Sequence, residues 1–304
     1  MNIQSCGDKE VSTIFFDWPI TNWCNYKCSY CPVLDQLTND FTKDNHTEQY
    51  KLTLSRLRLV EQSFNVCITG GEPTLHPHIE DIIDQLINIP NSQSIALFTN
   101  LTRSVKFFKE LPSSNKVVVF ASYHPEFATD KFTERCLELS NTDILFSVHV
   151  TMSDNIVHWE RTRILVDTLR DNNIPYRPCM LTPTKAYVPN YDNNIMQLIT
   201  PYLETTGINT SGNDFFKNIN VTYEDGSVKY FKEYEFVLNG MNKFKGYRCT
   251  PASYQINMDG KIESTCTRRK IPLHLSNKNL IVKEICPVEV CPSRRLINFY
   301  KERV

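Results

Sequence analysis

Residues 21–33, "TNWCNYKCSYCPV", place Cys24, Cys28 and Cys31 within eight positions of one another. A structural zinc site uses four tetrahedral ligands, usually offered as two separated pairs, and this spacing does not supply them. A disulfide with a spare thiol suits a reducing compartment poorly. A short loop offering three thiolates suits an iron-sulfur cube, whose fourth iron then stays open to another ligand.

Around this loop lies a chain of 304 residues, the length of a single α/β barrel or of a barrel with an appendage. Its 33 basic and 34 acidic side chains leave a net charge of −1, so no global field collects nucleic acid or anionic membrane. The basic run "TRRK" at 267–270 reads as a solvated turn. The start "MNIQSCGDKEVSTIFF" lacks the basic and apolar regions of a signal peptide, and no apolar stretch reaches spanning length, so a cytoplasmic protein is expected. In that setting 11 cysteines point to metal or catalytic use rather than to a disulfide framework.

Six apolar runs bounded by polar turns predict strands: "STIFFDWPIT", "NVCITG", "SIALFTN", "KVVVFASY", "DILFSVHVTM" and "IPYRPCML". Helical spacing separates several of them. In "HIEDIIDQLINI", Ile79, Ile82, Ile83 and Leu86 share a face opposite Glu80, Asp81 and Asp84. "VKFFKEL", "KFTERCLEL" and "NIVHWERTRILVDTLRDNN" repeat the pattern. This alternation predicts parallel pairing with right-handed crossovers. The expected class is α/β, a partial (β/α)6 TIM-like barrel over residues 1–205, with chemistry at the C-terminal strand ends. From residue 206 to 304 the pattern changes to hairpins around Asp225-Gly226 and Asp259-Gly260, in a small cysteine-rich domain.

The CxxxCxxC spacing at Cys24, Cys28 and Cys31, with aromatic Tyr30 before the last cysteine, resembles the radical S-adenosylmethionine (SAM) superfamily. "ITGGEPTLHP" at 68–77 is similar to that family's GGEP motif. The resemblance implies a [4Fe-4S] cluster on the three cysteines, with SAM on its open iron, cleaved to a 5′-deoxyadenosyl radical. It assigns Tyr30, Gly70, Gly71, Glu72 and Pro73 to cofactor binding. Glycines leave backbone open to a ligand, and Glu72 offers an acceptor for an ammonium group. Thr99, Asn100 and Ser122, at the ends of the third and fourth strands, fall where the family contacts SAM. His149 and Thr151 alternate with Val148 and Val150, and join the cofactor pocket if their face is the barrel interior. His124 is a candidate to face substrate. His46, His76, His78, His158 and His274 carry weaker signals.

The tail, with Cys249, Cys266, Cys286 and Cys291 around a hairpin, resembles the SPASM extension or its shortened form, Twitch. Four thiolates imply one auxiliary [4Fe-4S] cluster, hence two clusters in all. A Cys₄ zinc site uses the same ligands and remains the rival reading. Either metal would staple a hairpin with little core of its own.

The family's first step is hydrogen abstraction. The fate of the substrate radical is open: dehydrogenation, epimerisation through a thiol, or thioether or carbon-carbon bond formation in a peptide. Cys179, at the end of the sixth strand, is the candidate hydrogen donor; like Cys67 and Cys136 it also reads as a small buried hydrophobe. With the first strand expected near residue 13 and no separate peptide-recognition domain before it, a small polar, sugar- or nucleotide-like substrate is favoured. His124, Glu126, Tyr176 and Arg177 are candidate contacts. The partners expected are that substrate or a peptide, and a one-electron reductant such as flavodoxin or ferredoxin, without membrane or nucleic acid. A non-catalytic zinc or redox module is the alternative of another class, and it has no use for GGEP.

Overall fold

The computed structural model describes residues 2–7, 13–38, 49–112, 114–181, 183–184, 186–203, 219–231, 235–236, 239–266, 270–271, 280–281, 283–291 and 299–304. His46, His274 and most of the "TRRK" run lie outside the described residues. After a first strand, β1 (Ile3–Cys6), six strands run parallel to one another. They are β2 (Ile14–Pro19), β3 (Phe64–Thr69), β4 (Ser92–Thr99), β5 (Val117–Tyr123), β6 (Phe146–Met152) and β7 (Tyr176–Met180). Helices follow each in turn: α1 (Tyr50–Leu57), α2 (Ile79–Ile87), α3 (Val105–Glu110), α4 (Asp130–Ser140), α5 (Trp159–Asp171) and α6 (Asn193–Ile199). This is the expected α/β partial barrel. The sheet stays open, with β7 at one edge.

Strand periodicity divides the sheet into two faces. One carries Phe16, Val66, Ile68, Ile95, Leu97, Val119, Val148 and Val150 into the main core, where the helices cover them. In α2 the four aliphatic side chains expected on one face are at most 2% exposed, each contributing about 1.5–3 kcal/mol by burial. The other face carries a smaller apolar group, Cys67, Ala96, Val118 and Phe120, with Phe15 and Phe98 against it. That inner face is where the sheet has room for polar side chains.

The remaining strands are β8 (Ile219–Tyr223), β9 (Val228–Phe231), β10 (Arg248–Cys249), β11 (Ser253–Ile256), β12 (Ile262–Ser264), β13 (Lys270–Ile271), β14 (Glu284–Ile285) and β15 (Lys301–Glu302). They divide between two sheets. The hairpin of β11 and β12 turns at Asp259-Gly260, and β11 lies parallel to β2 with Ser253 opposite Phe15, so β11–β13 lengthen the main sheet to nine strands. A second sheet has the order β14-β10-β15-β1-β8-β9. β1, which begins earlier than the start near residue 13 expected from the pattern, belongs to this second sheet, and strands from both sides of residue 205 meet in each sheet. Among the described residues no helix is long and apolar enough to cross a membrane.

Candidate active site

The loop after β2 carries Cys24, Cys28 and Cys31, and closes on itself through the bridge of Trp23 with Thr38. Three loops from the C-terminal ends of neighbouring strands hold it. From β3, Gly71 N–H donates to the Thr21 carbonyl at 2.8 Å and Glu72 N–H to the Trp23 carbonyl at 2.7 Å. From β4, Asn100 Nδ2 donates to Asn25 Oδ1 at 2.8 Å, and Asn25 Nδ2 donates to Thr102 Oγ1 at 3.0 Å. From β5, Glu126 accepts from the Ser29 backbone N–H and hydroxyl, while His124 stacks on Tyr30 with ring centroids 6.0 Å apart. Tyr26 stacks on Phe127 at 5.2 Å.

The GGEP glycines have a use beyond leaving room for a ligand. A Cβ on Gly71 would sit 2.2 Å from the Trp23 carbonyl oxygen, and one on Gly70 would sit 2.4 Å from that of Thr21. Gly70 also holds φ +134°, a conformation that L side chains rarely adopt. Backbone-to-backbone contact with the cysteine loop therefore requires both.

Glu72 is wholly buried and its carboxylate has four donors: Thr74 N–H (3.0 Å), Thr74 Oγ1 (2.6 Å) and Thr99 Oγ1 (2.7 Å) to Oε1, and Asn100 N–H (2.6 Å) to Oε2. A carboxylate has about four acceptor sites: two are taken by Thr74 within the β3 loop, and two fasten that loop to the end of β4. Burial pushes its pKa up, and the donors oppose that push. Pro73 opens the single helical turn that comes next.

Cys24, Cys28, Cys31, Tyr30, Gly70, Gly71, Glu72, Pro73, Asn100 and Ser122 all line one cleft, with Thr99, Phe98 and His124 beside them. Burial pushes the Cys24 thiol up to about 11 and that of Cys28 to about 12, and raises Cys31 too. At Cys28 a hydrogen bond with the Tyr30 hydroxyl partly offsets this. A metal that binds them must draw out their protons. Three sulfur donors in one cleft, backed by close-packed glycines, fit a cluster that needs three thiolates.

His149 and Thr151 are not among the residues lining that cleft. His149 lies on the inner face, its ring 5.5 Å from Phe98 and 4.9 Å from Phe120. It is the cross-strand partner of Ser122 on one side and Arg177 on the other, and Thr151 is opposite Cys179. Cys179 is half-buried. Tyr176 belongs to the helix-side core, its hydroxyl accepting from Arg170 Nε at 2.7 Å. His76 is buried beside Tyr50, accepting from the His78 N–H, and His158 occupies the position before α5 without a side-chain capping bond. Sequence reasoning did not single out Asn25, Tyr26, Ser29, Thr74 or Thr102 as supports of the loop.

The tail cysteines gather in the core of the second sheet. Cys249, Cys286 and Cys291 are buried there, and Cys266 packs against them half-buried. Cys6 of β1, unassigned from sequence, is buried in the same cluster.

An open parallel sheet whose strand-end loops grip a three-cysteine loop is a catalytic barrel architecture built to hold a metal cluster. A family model described as the Radical SAM superfamily matches residues 18–184, more than half of the chain, and the protein belongs to that superfamily. Membership implies a [4Fe-4S] cluster and SAM. Among curated relatives, the GTP 3′,8-cyclase of Pasteurella multocida is 38% identical over 93 residues, 29% of this chain and 26% of that protein. That of Vibrio parahaemolyticus is 26% identical over 178 residues, 52% of this chain and 51% of that protein. The chain thus spans between about a quarter and a half of these relatives' length. In fold it is similar to Streptococcus suis SuiB bound to S-adenosylmethionine, with TM-score 0.53 and 14% identity over 90% of this chain and 63% of that one.

Proposed function

We propose that this radical SAM enzyme acts on a small polar substrate of nucleotide or sugar type, and that Cys179 returns a hydrogen atom to the substrate, giving epimerisation. The observation that carries this reading is the pairing on the inner face of β5–β7. Ser122, His149 and Arg177 form one row, and Thr151 and Cys179 form the next, nearer the C-terminal strand ends. A guanidinium, an imidazole and a hydroxyl in a row suit phosphate or sugar hydroxyls. The thiol at the strand end faces the same space.

When bound, the cluster on Cys24, Cys28 and Cys31 together with SAM supplies a 5′-deoxyadenosyl radical. The chain's own part is to fix the cysteine loop, seat the substrate on the polar row and present the Cys179 S–H to the opposite face of the reacting carbon. An external one-electron donor, such as flavodoxin or ferredoxin, with a proton, restores the thiol.

Cys249, Cys266, Cys286 and Cys291 belong to the same proposal, as ligands of one auxiliary [4Fe-4S] cluster. Cys266 lies close enough to the other three to feel their charge. A zinc ion takes four thiolates as well and is the rival occupant of this site.

Two other outcomes remain defined. The curated relatives' name favours ring closure on GTP as a second reading, and dehydrogenation is the third. The test is turnover of the anaerobically reconstituted protein with SAM, a reductant and candidate nucleotides and sugars in deuterated water. Solvent deuterium on the product, lost in Cys179→Ala while SAM cleavage persists, supports epimerisation. A cyclised GTP product, or loss of two hydrogens without deuterium uptake, overturns it.

A further inference from the structure

Antiparallel pairing sets Lys301 of β15 directly opposite Cys6 of β1 on one side and Cys249 of β10 on the other. Directly opposed residues project from the same face of a sheet, with Cβ atoms about 4.5–5.5 Å apart. The row Cys6, Lys301, Cys249 therefore crosses three strands on the face buried against Cys286 and Cys291. Lys301 is 1% exposed. Its Nζ donates to the Phe299 carbonyl at 2.8 Å and stands 5.0 Å from the centroid of the Phe244 ring, two contacts that aim the ammonium within this core.

We propose that Lys301 is the fixed counter-cation of the metal centre carried by Cys249, Cys266, Cys286 and Cys291, and that it sets how readily this centre accepts an electron. The inference rests on the reading of those four cysteines as a metal site. A cluster held by four thiolates is an anion, and each electron it accepts deepens its negative charge. In a low-dielectric core a nearby cation therefore stabilises the reduced state more than the oxidised one, and net local charge is one of the quantities that set a cluster's potential. Cys6 fills the far side of the lysine as a small apolar residue, closing the row toward β8.

The test uses the full chain with Cys24, Cys28 and Cys31 all replaced by Ala, so that any cluster signal comes from the tail. Lys301→Met and Lys301→Arg are added on that background, reconstituted anaerobically, assayed for iron and titrated by EPR. Lys301→Met is expected to load iron but to show, at a given potential, a reduced-to-oxidised ratio at least about tenfold lower, a shift of about 59 mV for a one-electron couple. Lys301→Arg is expected to restore the parent value, which a merely structural role would not require. An unchanged midpoint in Lys301→Met, or failure of Arg to restore it, overturns the counter-cation. If Lys301→Met does not fold, Lys301→Gln takes its place. If the tail takes up zinc, the readout becomes zinc loss to a chelator, at least about tenfold faster without the charge, and equal rates overturn the proposal. A background protein that takes up neither metal overturns the metal-site reading itself, and the counter-cation with it.

Discussion

Glu126, in the loop after β5, accepts hydrogen bonds from both the backbone N–H (2.7 Å) and the hydroxyl of Ser29, 97 residues away in the cysteine loop. Ser29 directly succeeds Cys28, so this carboxylate fixes the backbone at one sulfur ligand. Bonds to charged groups are worth about 1.5–3 kcal/mol where buried, and this pair is exposed, so its effect on global stability is small. Glu126→Ala is expected to change the unfolding free energy by about 1 kcal/mol or less. Its larger effect is local: iron held by the first three cysteines is expected to be lost to a chelator several-fold faster. A chelation time course at unchanged rate would show that Ser29 needs no anchor.

Glu72 carries a heavier share. In Glu72→Gln one carboxylate oxygen becomes an amide NH₂, which faces either the Asn100 N–H or the three donors from Thr74 and Thr99. At least one buried donor is left without an acceptor, at about 1–3 kcal/mol each. The expected loss is about 2 kcal/mol or more in urea unfolding of the metal-free protein. A loss below half of that would mean the loops relax to satisfy the donors.

Gly71→Ala tests the contact between the two loops. The added methyl meets the Trp23 carbonyl at 2.2 Å and the Cys24 Cβ at 3.0 Å, and backbone on both sides resists movement. The cysteine loop must shift, so both thermal stability and iron uptake at Cys24, Cys28 and Cys31 are expected to fall. The substitution Gly226→Ala, at a turn with φ +82° where an added Cβ meets nothing, adds backbone strain away from the cysteine loop, so stability is expected to fall there too but iron uptake should stay at the parent level.

Legibility in the sequence depends on which interactions are local. Parallel strands buried on both faces read as continuous apolar runs, which is why β2–β7 stand out, and α2 declares itself through four aliphatic residues on one stripe. α1 hides because its buried face includes Tyr50 and Thr53. β10, β14 and β15 are two residues long and carry no periodicity, and β15 finds β1 across almost the whole chain. The parallel docking of β11 on β2 is likewise a long-range register that no local pattern encodes. In the site, cysteines and GGEP are legible because sulfur ligands and paired glycines are rare combinations. Asn25, Ser29 and Thr102 look like any turn residues until the fold brings their partners to them. His124 and Glu126 could be placed near the site from strand order, and their contacts with Tyr30 and Ser29 needed the three-dimensional arrangement.

His124 makes a pH prediction with a definite sign. Its Nδ1 lies 3.3 Å from the Tyr30 hydroxyl and its ring packs against Tyr30 and Tyr26. Burial pushes its pKa from the ordinary 6.5 down to about 4, with Glu126 opposing in part. Between about pH 6.5 and about 4 the unfolded chain accepts a proton that the folded chain refuses, so the unfolded state binds more protons and stability falls as the solution is acidified. Above that window His124 contributes no slope. A single proton gives at most about 1.4 kcal/mol per pH unit. The measurement is urea unfolding of the metal-free protein at several pH values, beside His124→Asn. Titrations elsewhere cancel in the difference, so the wild-type advantage is expected to shrink steadily below pH 6.5 and to be level above it. Parallel curves through the window would mean that the imidazole meets solvent in the folded protein and that the β5 loop does not seal the cysteine loop.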